Sequence, residues 1–191
     1  DSAGKRWFGA VRGETFFTSS FHMFPDGGGA PVKLPIPLKS SPRGLYNDRL
    51  LVTLEEDWTP EGQGFFKSGD LVGFSWSSFL KDGKLPAVEL VMHPSERQAI
   101  QDVSVAKGGV LLGLSDNVVL KVLQLNEAGG KWTSKELALP PNGSAGVSFA
   151  DEEESAAFLT FEGYLSPDAL YTYDVGSGAL KQIKSLPAWF D

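Results

Sequence analysis

The chain has 191 residues, 41% of them hydrophobic and 12% aromatic, which is enough to bury the core of one domain or slightly more. Its 17 basic against 24 acidic side chains give a formal net charge of −7, which argues against a nucleic-acid partner because such partners require a clustered basic face. The absence of cysteine excludes disulfides, thiolate catalysis and cysteine-ligated metal sites. No apolar run approaches the roughly 18 residues of a membrane span. We therefore expect no nucleic-acid and no membrane partner, and the compartment stays open.

Strand signals recur along the whole chain as short segments rich in β-branched and aromatic residues, bounded by Gly, Pro, Asn, Asp or Ser. They predict strands at Trp7–Val11, Glu14–Phe21, Leu50–Leu54, Asp70–Trp76, Ala87–Met92, Val103–Val105, Val110–Leu114, Val118–Leu125, Trp132–Leu137, Ala145–Phe149, Ala157–Phe161, Leu170–Asp174 and Leu180–Ile183. Turn residues predict hairpins at Asp26-Gly27, Asp82-Gly83, Gly129-Gly130, Asn142-Gly143 and Gly176-Ser177-Gly178. Helical spacing of apolar residues is nowhere sustained, and one short helical turn is predicted at Ser95–Ala99. The fold class is all-β.

An internal repeat gives the predicted strands an architecture. Two segments each carry four strand signals and a Gly-containing turn, and they end in Leu139-Pro140 and Leu186-Pro187, 47 residues apart. A period of about 40–50 residues with four short antiparallel strands is typical of a propeller blade. The sequence therefore predicts a partial β-propeller of about four blades, at residues 1–45, 46–98, 99–141 and 142–191. The alternative is a β-sandwich with irregular strands.

A hydrolytic serine would need a sharp G-x-S-x-G turn and a histidine held by a carboxylate. That pattern is absent, since Gly143-Ser144-Ala145-Gly146 and Gly176-Ser177-Gly178 have the wrong spacing and fall in predicted turns. His93 follows a strand and is interpreted as a surface histidine, while His22 alternates with apolar neighbours and is interpreted as structural. We predict no catalytic residue in this chain.

Acidic residues could hydrolyse glycosides or hold a metal ion if they faced each other across a cleft. The run Asp151-Glu152-Glu153-Glu154 is consecutive and predicts a solvated turn. Glu55-Glu56-Asp57 precedes Trp58, a pairing that can cradle a sugar, although a strand end explains it more simply. No metal-ligand spacing is present, and Gly27-Gly28-Gly29 opens no helix that could bind phosphate. No cofactor and no metal are predicted.

The order of several motifs resembles a known family. They are Leu114-Ser115-Asp116-Asn117-Val118, Gly129-Gly130-Lys131-Trp132, Leu137-Ala138-Leu139-Pro140, the segment from Phe161 through Tyr164 to Pro167, Leu170-Tyr171-Thr172-Tyr173-Asp174 and the closing segment Lys184–Asp191. Upstream, Leu50–Trp58 and Phe66–Val72 are similar to a Leu-x-x-Asp-Trp…Gly-x-Leu pattern. The chain resembles the later blades of the propeller of prolyl oligopeptidases.

The resemblance implies that one domain carries out catalysis and that the propeller controls peptide access. That family cleaves short peptides after proline with a Ser-Asp-His triad in an α/β-hydrolase domain, and none of the triad positions lies in this chain. The implied function is a noncatalytic propeller that gates peptide access, with its own peptidase domain and short peptides as partners. The family's propellers have seven blades, so a four-blade piece is expected either to close on itself or to self-associate through its uncovered blade faces. We also expect the chain to be cut from a longer one. A stand-alone interaction module and a carbohydrate-active propeller are the alternatives.

Overall fold

The computed structural model describes residues 5–26, 28–163 and 165–188. The chain divides after His93 into two compact units, here the first unit and the second unit, and each holds two small antiparallel sheets. Predictions at Asp1–Gly4, Gly27, Tyr164 and Trp189–Asp191 lie outside the described residues.

The first sheet of the first unit has three strands in sequential order. They are β1 (Gly9–Gly13), β2 (Ser19–Met23) and β3 (Val32–Lys33). β1 pairs only with β2 in this sheet, and all five of its residues are exposed. β3 ends at Lys33, because Pro35 and Pro37 beyond it cannot donate ladder hydrogen bonds.

The second sheet has four strands and carries the described helix of this unit. Its elements are β4 (Ser40–Tyr46), β5 (Arg49–Leu54), β6 (Leu71–Ser75), α1 (Trp76–Asp82) and β7 (Val88–Met92). β4 pairs with β5, so residues 40–45 belong to this sheet, although the predicted blade boundary places them in the preceding blade.

Helix α1 was not predicted from the sequence. It begins after the N-cap Ser75, whose side chain accepts from the Ser78 N–H, and ends at Gly83, whose φ of 71° suits a helix C-cap. The predicted hairpin at Asp82-Gly83 is therefore wrong. Seven residues are too few to show helical periodicity, and α1 is stabilised by tertiary packing of Trp76 and Phe79.

Aromatic side chains dominate the core of the first unit. Trp76 packs on Phe79 with ring centroids 5.3 Å apart and meets Trp7 edge to face at 5.6 Å. Phe79 and Val52 are fully buried within the same cluster. Rings of this size contribute most of the buried area available to so short a helix.

The second unit consists of two regular four-stranded sheets, each with its strands in sequential order. The third sheet comprises β8 (Gln98–Ala106), β9 (Gly109–Asp116), β10 (Val119–Ala128) and β11 (Lys131–Glu136). The fourth sheet comprises β12 (Gly143–Phe149), β13 (Ala156–Gly163), β14 (Ala169–Asp174) and β15 (Ala179–Ser185). The predicted helical turn at Ser95–Ala99 is wrong, since β8 begins at Gln98 and the Gln98 N–H bonds back to the Ser95 carbonyl in a simple turn.

The third and fourth sheets pack face to face over one apolar cluster. Leu111 and Val122 from the third sheet meet Leu159 and Phe161 from the fourth, all of them buried. Alternate residues of β13 supply this face, as its alternating exposed and buried pattern shows. The predicted hairpins at Gly129-Gly130 and Gly176-Ser177-Gly178 join β10 to β11 and β14 to β15. The predicted hairpin at Asn142-Gly143 is wrong, because these residues lie where the chain passes from the third sheet to the fourth and β11 does not pair with β12.

A buried hydrogen-bond group also links the two sheets. The Gln124 side chain on β10 donates to the Val175 carbonyl at 3.0 Å and to Asn126 Oδ1 at 2.9 Å, and it accepts from the Tyr173 hydroxyl on β14. Burial of a polar amide is tolerated here because each of its atoms has a partner. A Cβ at Gly109 would lie 2.7 Å from Val175 Cγ1, so this approach of the two sheets requires glycine.

The predicted all-β class is confirmed: fifteen strands and one seven-residue helix account for the regular structure of the described residues. Among those residues, no helix combines the length and apolar character required to span a bilayer.

Candidate functional site

The clearest candidate for chemistry is a carboxylate–histidine pair in the first unit. His93 Nδ1 lies 2.6 Å from Asp70 Oδ1, and the other carboxylate oxygen accepts the Lys67 N–H at 2.8 Å. Asp70 is buried, whereas the His93 side chain is 47% exposed. The pair arises because Leu71 and Met92 are register partners, which brings the residues just outside the paired strands together.

This pair has the orientation of the base and acid of a hydrolase but lacks a nucleophile. A triad needs a hydroxyl or thiol bonded to the second imidazole nitrogen. Among the described residues, no hydroxyl bonds to His93, and the chain has no cysteine. His93 was predicted to be a surface histidine, and Asp70 was not predicted as its partner, although the two residues flank neighbouring strands.

A second histidine does meet a serine, but with the wrong proton arrangement for catalysis. The buried Ser20 hydroxyl donates to Glu14 Oε1 at 2.7 Å and lies 3.0 Å from His22 Nε2. Because the single hydroxyl proton is directed to Glu14, the imidazole must donate at Nε2 and cannot act as the base. The Ser20 hydrogen bond holds the Glu14 pKa below its ordinary value. These hydrogen bonds connect β2 to Glu14, which directly follows β1.

The acidic residues next to Trp58 bind backbone. Glu56 Oε1 accepts the Lys39 N–H at 3.1 Å, and Asp57 Oδ1 accepts the Ser68 N–H at 2.9 Å. Trp58 packs on Phe66 at 6.1 Å, and the two residues also share an isolated β-bridge. These contacts fold the long connection between β5 and β6 and leave two of the three carboxylates engaged with the chain.

The acidic run Asp151–Glu154 forms a turn between β12 and β13. Asp151 Oδ1 accepts the Glu153 N–H at 2.7 Å, and the Lys107 N–H donates to the carbonyls of Asp151 and Glu154. Within the described ranges, no three His, Cys, Asp or Glu side chains are grouped as metal ligands. The run therefore fastens one turn of the third sheet to one turn of the fourth.

Neither serine of the near-miss motifs bonds to a histidine in the described structure. The Ser177 backbone N–H and hydroxyl both donate to Asp174 Oδ1, at 2.7 and 2.6 Å, while the Ser155 hydroxyl donates to Oδ2 at 2.6 Å. These bonds, the one from Ser155 first, lower the Asp174 pKa to about 2. Ser144 lies in β12, opposite Glu162. Both serines have structural positions.

Comparison with known proteins identifies the fold. The chain has a TM-score of 0.81 to the structure of a post-proline cleaving enzyme from Rickettsia typhi, at 24% identity, covering 97% of this chain and 27% of that one. Oligopeptidase B from Trypanosoma brucei gives a TM-score of 0.68 at 16% identity over 97% of this chain and 28% of that one. At such identities the likeness concerns the fold, and it confirms the predicted partial β-propeller.

The relatives are much longer than this chain. An uncharacterized peptidase, y4nA, of Sinorhizobium fredii is 29% identical over 184 residues, which cover 95% of this chain but 25% of that protein. The chain thus spans about a quarter of the relatives it matches. Residues 80–186 match the family model described as prolyl oligopeptidase, N-terminal beta-propeller domain. This match extends over more than half of the chain, which therefore belongs to the prolyl oligopeptidase N-terminal β-propeller family.

Proposed function

We propose that this chain is the noncatalytic propeller domain of a post-proline serine peptidase and that it restricts the parent's active site to short peptides. The observation that carries the proposal is the family match over residues 80–186, combined with the lack of an assembled nucleophile, base and acid among the described residues. The matched relatives are about four times as long, which leaves ample chain for a peptidase domain.

The local geometry supports a noncatalytic role. Asp70 and His93 form an oriented pair without a hydroxyl, and the Ser20 proton is directed to Glu14 and away from His22. Acyl transfer requires the nucleophile and base in one hydrogen-bonded unit. Cleavage by the parent would then depend on residues outside this chain.

The construction of the sheets supports a restrictive role. Each sheet pairs strands that are neighbours in sequence, and most are joined by turns of a few residues. Short turns and close-packed blades resist deformation, so a wall built from them excludes bulky or folded substrates and admits flexible peptides.

A two-part experiment tests the proposal. The chain alone should neither hydrolyse a proline-containing chromogenic peptide nor react with a fluorophosphonate probe, whereas the full-length parent should do both. For the parent, kcat/KM should fall steeply as residues are added around one constant proline site. Labelling of the chain alone, or equal rates for a short peptide and a long unfolded protein, would contradict the proposal.

The alternatives gain no support from the contacts. The carbohydrate hypothesis needs Glu56 and Asp57 to face a ligand, and both accept backbone N–H groups instead. The predicted self-association through uncovered faces stays a prediction. Phe149 and Phe158, partly exposed with ring centroids 6.4 Å apart on the fourth sheet, are the residues to examine for it.

A further inference from the structure

The Lys5 ammonium group lies in a small site formed by one aromatic ring and one carboxylate of the first unit. Its Nζ is 3.9 Å from the centre of the Trp7 ring, and it forms an ion pair with the Asp26 carboxylate. A ring face combined with an anion attracts organic cations, because both present negative charge to the ammonium group. Trp7 and Asp26 therefore form a cation-binding site, here the ammonium site, which a side chain of the same chain occupies.

Strand pairing holds the ammonium site together. The Phe24 N–H donates to the Phe8 carbonyl at 2.9 Å and so extends the antiparallel pairing of β1 with β2. Trp7 and Asp26 lie close beyond these two residues in the sequence. Trp7 also meets Trp76 edge to face, with ring centroids 5.6 Å apart. Because these contacts involve backbone and core, the ring and the backbone that carries the carboxylate should keep their positions when the ammonium group is removed.

An apolar cavity of about 320 Å³ adjoins the ammonium site. Lys5, Trp7 and Asp26 line part of it, and much of the rest is lined by apolar side chains of β2, β3 and α1, namely Met23, Val32, Phe79 and Leu80. Met23 and Phe79 also belong to the buried core of the first unit. The volume lies at the lower end of the range for small-ligand cavities, which suits one aliphatic side chain with its backbone.

A ligand that fits both parts must carry an ammonium group close to an apolar group. The N-terminal residue of a peptide has this chemistry, because its α-ammonium group and its side chain are attached to the same carbon. A lysine side chain has its ammonium group at the end of a flexible four-carbon stem, so it would enter as Lys5 does and leave the cavity unfilled. A free amino acid adds a carboxylate, which would lie near the like charge of Asp26.

We propose that the ammonium site and its cavity bind the N-terminal residue of a peptide, with the α-ammonium group in the place of the Lys5 ammonium group and an aliphatic side chain in the cavity. The Lys5 side chain then acts as an internal competitor. It is 47% exposed and the Asp26 side chain 64% exposed, and exposed ion pairs open at little cost in free energy. The proposal goes beyond the proposed function and does not depend on it, because it involves no step of catalysis.

NMR of labelled methionine methyl groups in the full-length parent tests the site. Met23 lines the cavity, whereas Met92, the other methionine of this chain, does not line it and serves as the control signal. Titration with leucinamide, which carries an α-ammonium group and an aliphatic side chain, should shift the Met23 signal and leave the Met92 signal unchanged. In Lys5→Ala the competitor is gone, so the apparent affinity should rise about tenfold if Lys5 occupies the site in about nine molecules of ten. Lys5→Arg keeps a cation over the ring and is the matched control, with an affinity close to that of the unaltered parent.

Further variants and probes test the chemistry of the ligand. Asp26→Asn, introduced into Lys5→Ala, should weaken leucinamide binding by about tenfold or more, because a neutral amide does not pair with the ammonium group. N-acetylleucinamide lacks the ammonium group and free leucine adds a carboxylate near Asp26, so each should bind Lys5→Ala about tenfold more weakly than leucinamide does.

Several results would overturn the proposal. They are an unmoved Met23 signal in Lys5→Ala, equal leucinamide affinities of Lys5→Ala and the unaltered parent, and binding of N-acetylleucinamide, free leucine or N-acetyl-lysinamide as tight as that of leucinamide. If a shifted Met92 signal without ligand shows that Lys5→Ala is misfolded, the same probes are compared on the unaltered parent, with the same outcomes deciding. The NMR signals do not depend on peptidase activity, so failure of this proposal leaves the proposed function standing.

Discussion

The two units reach a buried core by different routes. In the second unit, alternate residues of regular strands supply an aliphatic and aromatic cluster, and the two sheets share one Gln–Tyr hydrogen-bond group. In the first unit, a three-stranded sheet and a seven-residue helix bury tryptophan and phenylalanine rings. A repeated unit thus needs only period-two patterning, whereas an irregular one depends on a few large side chains.

The largest expected loss of unfolding free energy follows removal of a buried phenylalanine ring from either unit. Phe79→Ala and Phe161→Ala each remove a side chain that is at most 1% exposed, and each should cost about 3–5 kcal/mol of unfolding free energy. Denaturant titration measures the cost, and hydrogen exchange locates it. Phe79→Ala should lower protection within residues 5–93 and Phe161→Ala within 94–188. An equal loss of hydrogen-exchange protection in both units, in either variant, would contradict the presence of two separate cores.

The second unit, which has the more regular sheets, was also predicted more completely from the sequence. The 47-residue repeat and the turn at Gly129-Gly130 located the strands of the second unit, because spacing and turn chemistry are local properties. Helix α1 and β4 were missed, since Phe79 is placed by tertiary packing and Ser40–Tyr46 contains Pro42 and Gly44, which weaken a strand signal.

An intermediate loss of unfolding free energy is expected when the hydrogen bond between the two sheets of the second unit is removed. Tyr173→Phe removes the donor to the buried Gln124 amide and should cost about 1–3 kcal/mol, because a buried acceptor is left unpaired. The control is Tyr171→Phe, whose hydroxyl bonds the exposed Gln182 at 3.2 Å and whose loss should cost less. Equal costs in denaturant titration would show that the Gln124 group does not fasten the two sheets.

The smallest effect concerns two aspartates that order turns, one in each unit. Hydrogen bonds, first from Ser155 and then from Ser177, lower the Asp174 pKa from 3.8 to about 2. Burial raises the pKa of Asp48, but hydrogen bonds from Ser75 and Ser77 outweigh it and leave a net lowering. Because a lowered folded-state pKa stabilises above the ordinary value, the contribution of Asp174 is complete above pH 3.8 and disappears as the pH falls through about 2.

An NMR titration of the Asp174 carboxylate tests the assigned cause of its lowered pKa. Ser155→Ala should move the Asp174 pKa back toward 3.8, and the stability difference from the unaltered chain should shrink as the pH approaches 2. Ser144→Ala, which removes a hydroxyl that does not bond Asp174, is the control. A Ser155→Ala difference that stays constant from neutral pH to pH 2 would contradict the assignment.

The candidate site was less predictable than the fold. His22 and His93 were located in sequence and assigned no catalytic role, but their partners Ser20 and Asp70 were not found. Side-chain pairs depend on strand register, and register comes from long-range packing that a single sequence does not show. The register pair Leu71 and Met92 is the signal that would have suggested Asp70 beside His93.

The sequential strand order has a consequence for synthesis. Every strand in the four sheets pairs with a neighbour in the sequence, so each sheet has its full set of partners once its last strand leaves the ribosome. Local pairing of this kind lowers the entropy lost in closing loops and favours rapid formation. A nascent chain can then acquire structure one sheet at a time, and strands of later sheets are not required to complete earlier ones.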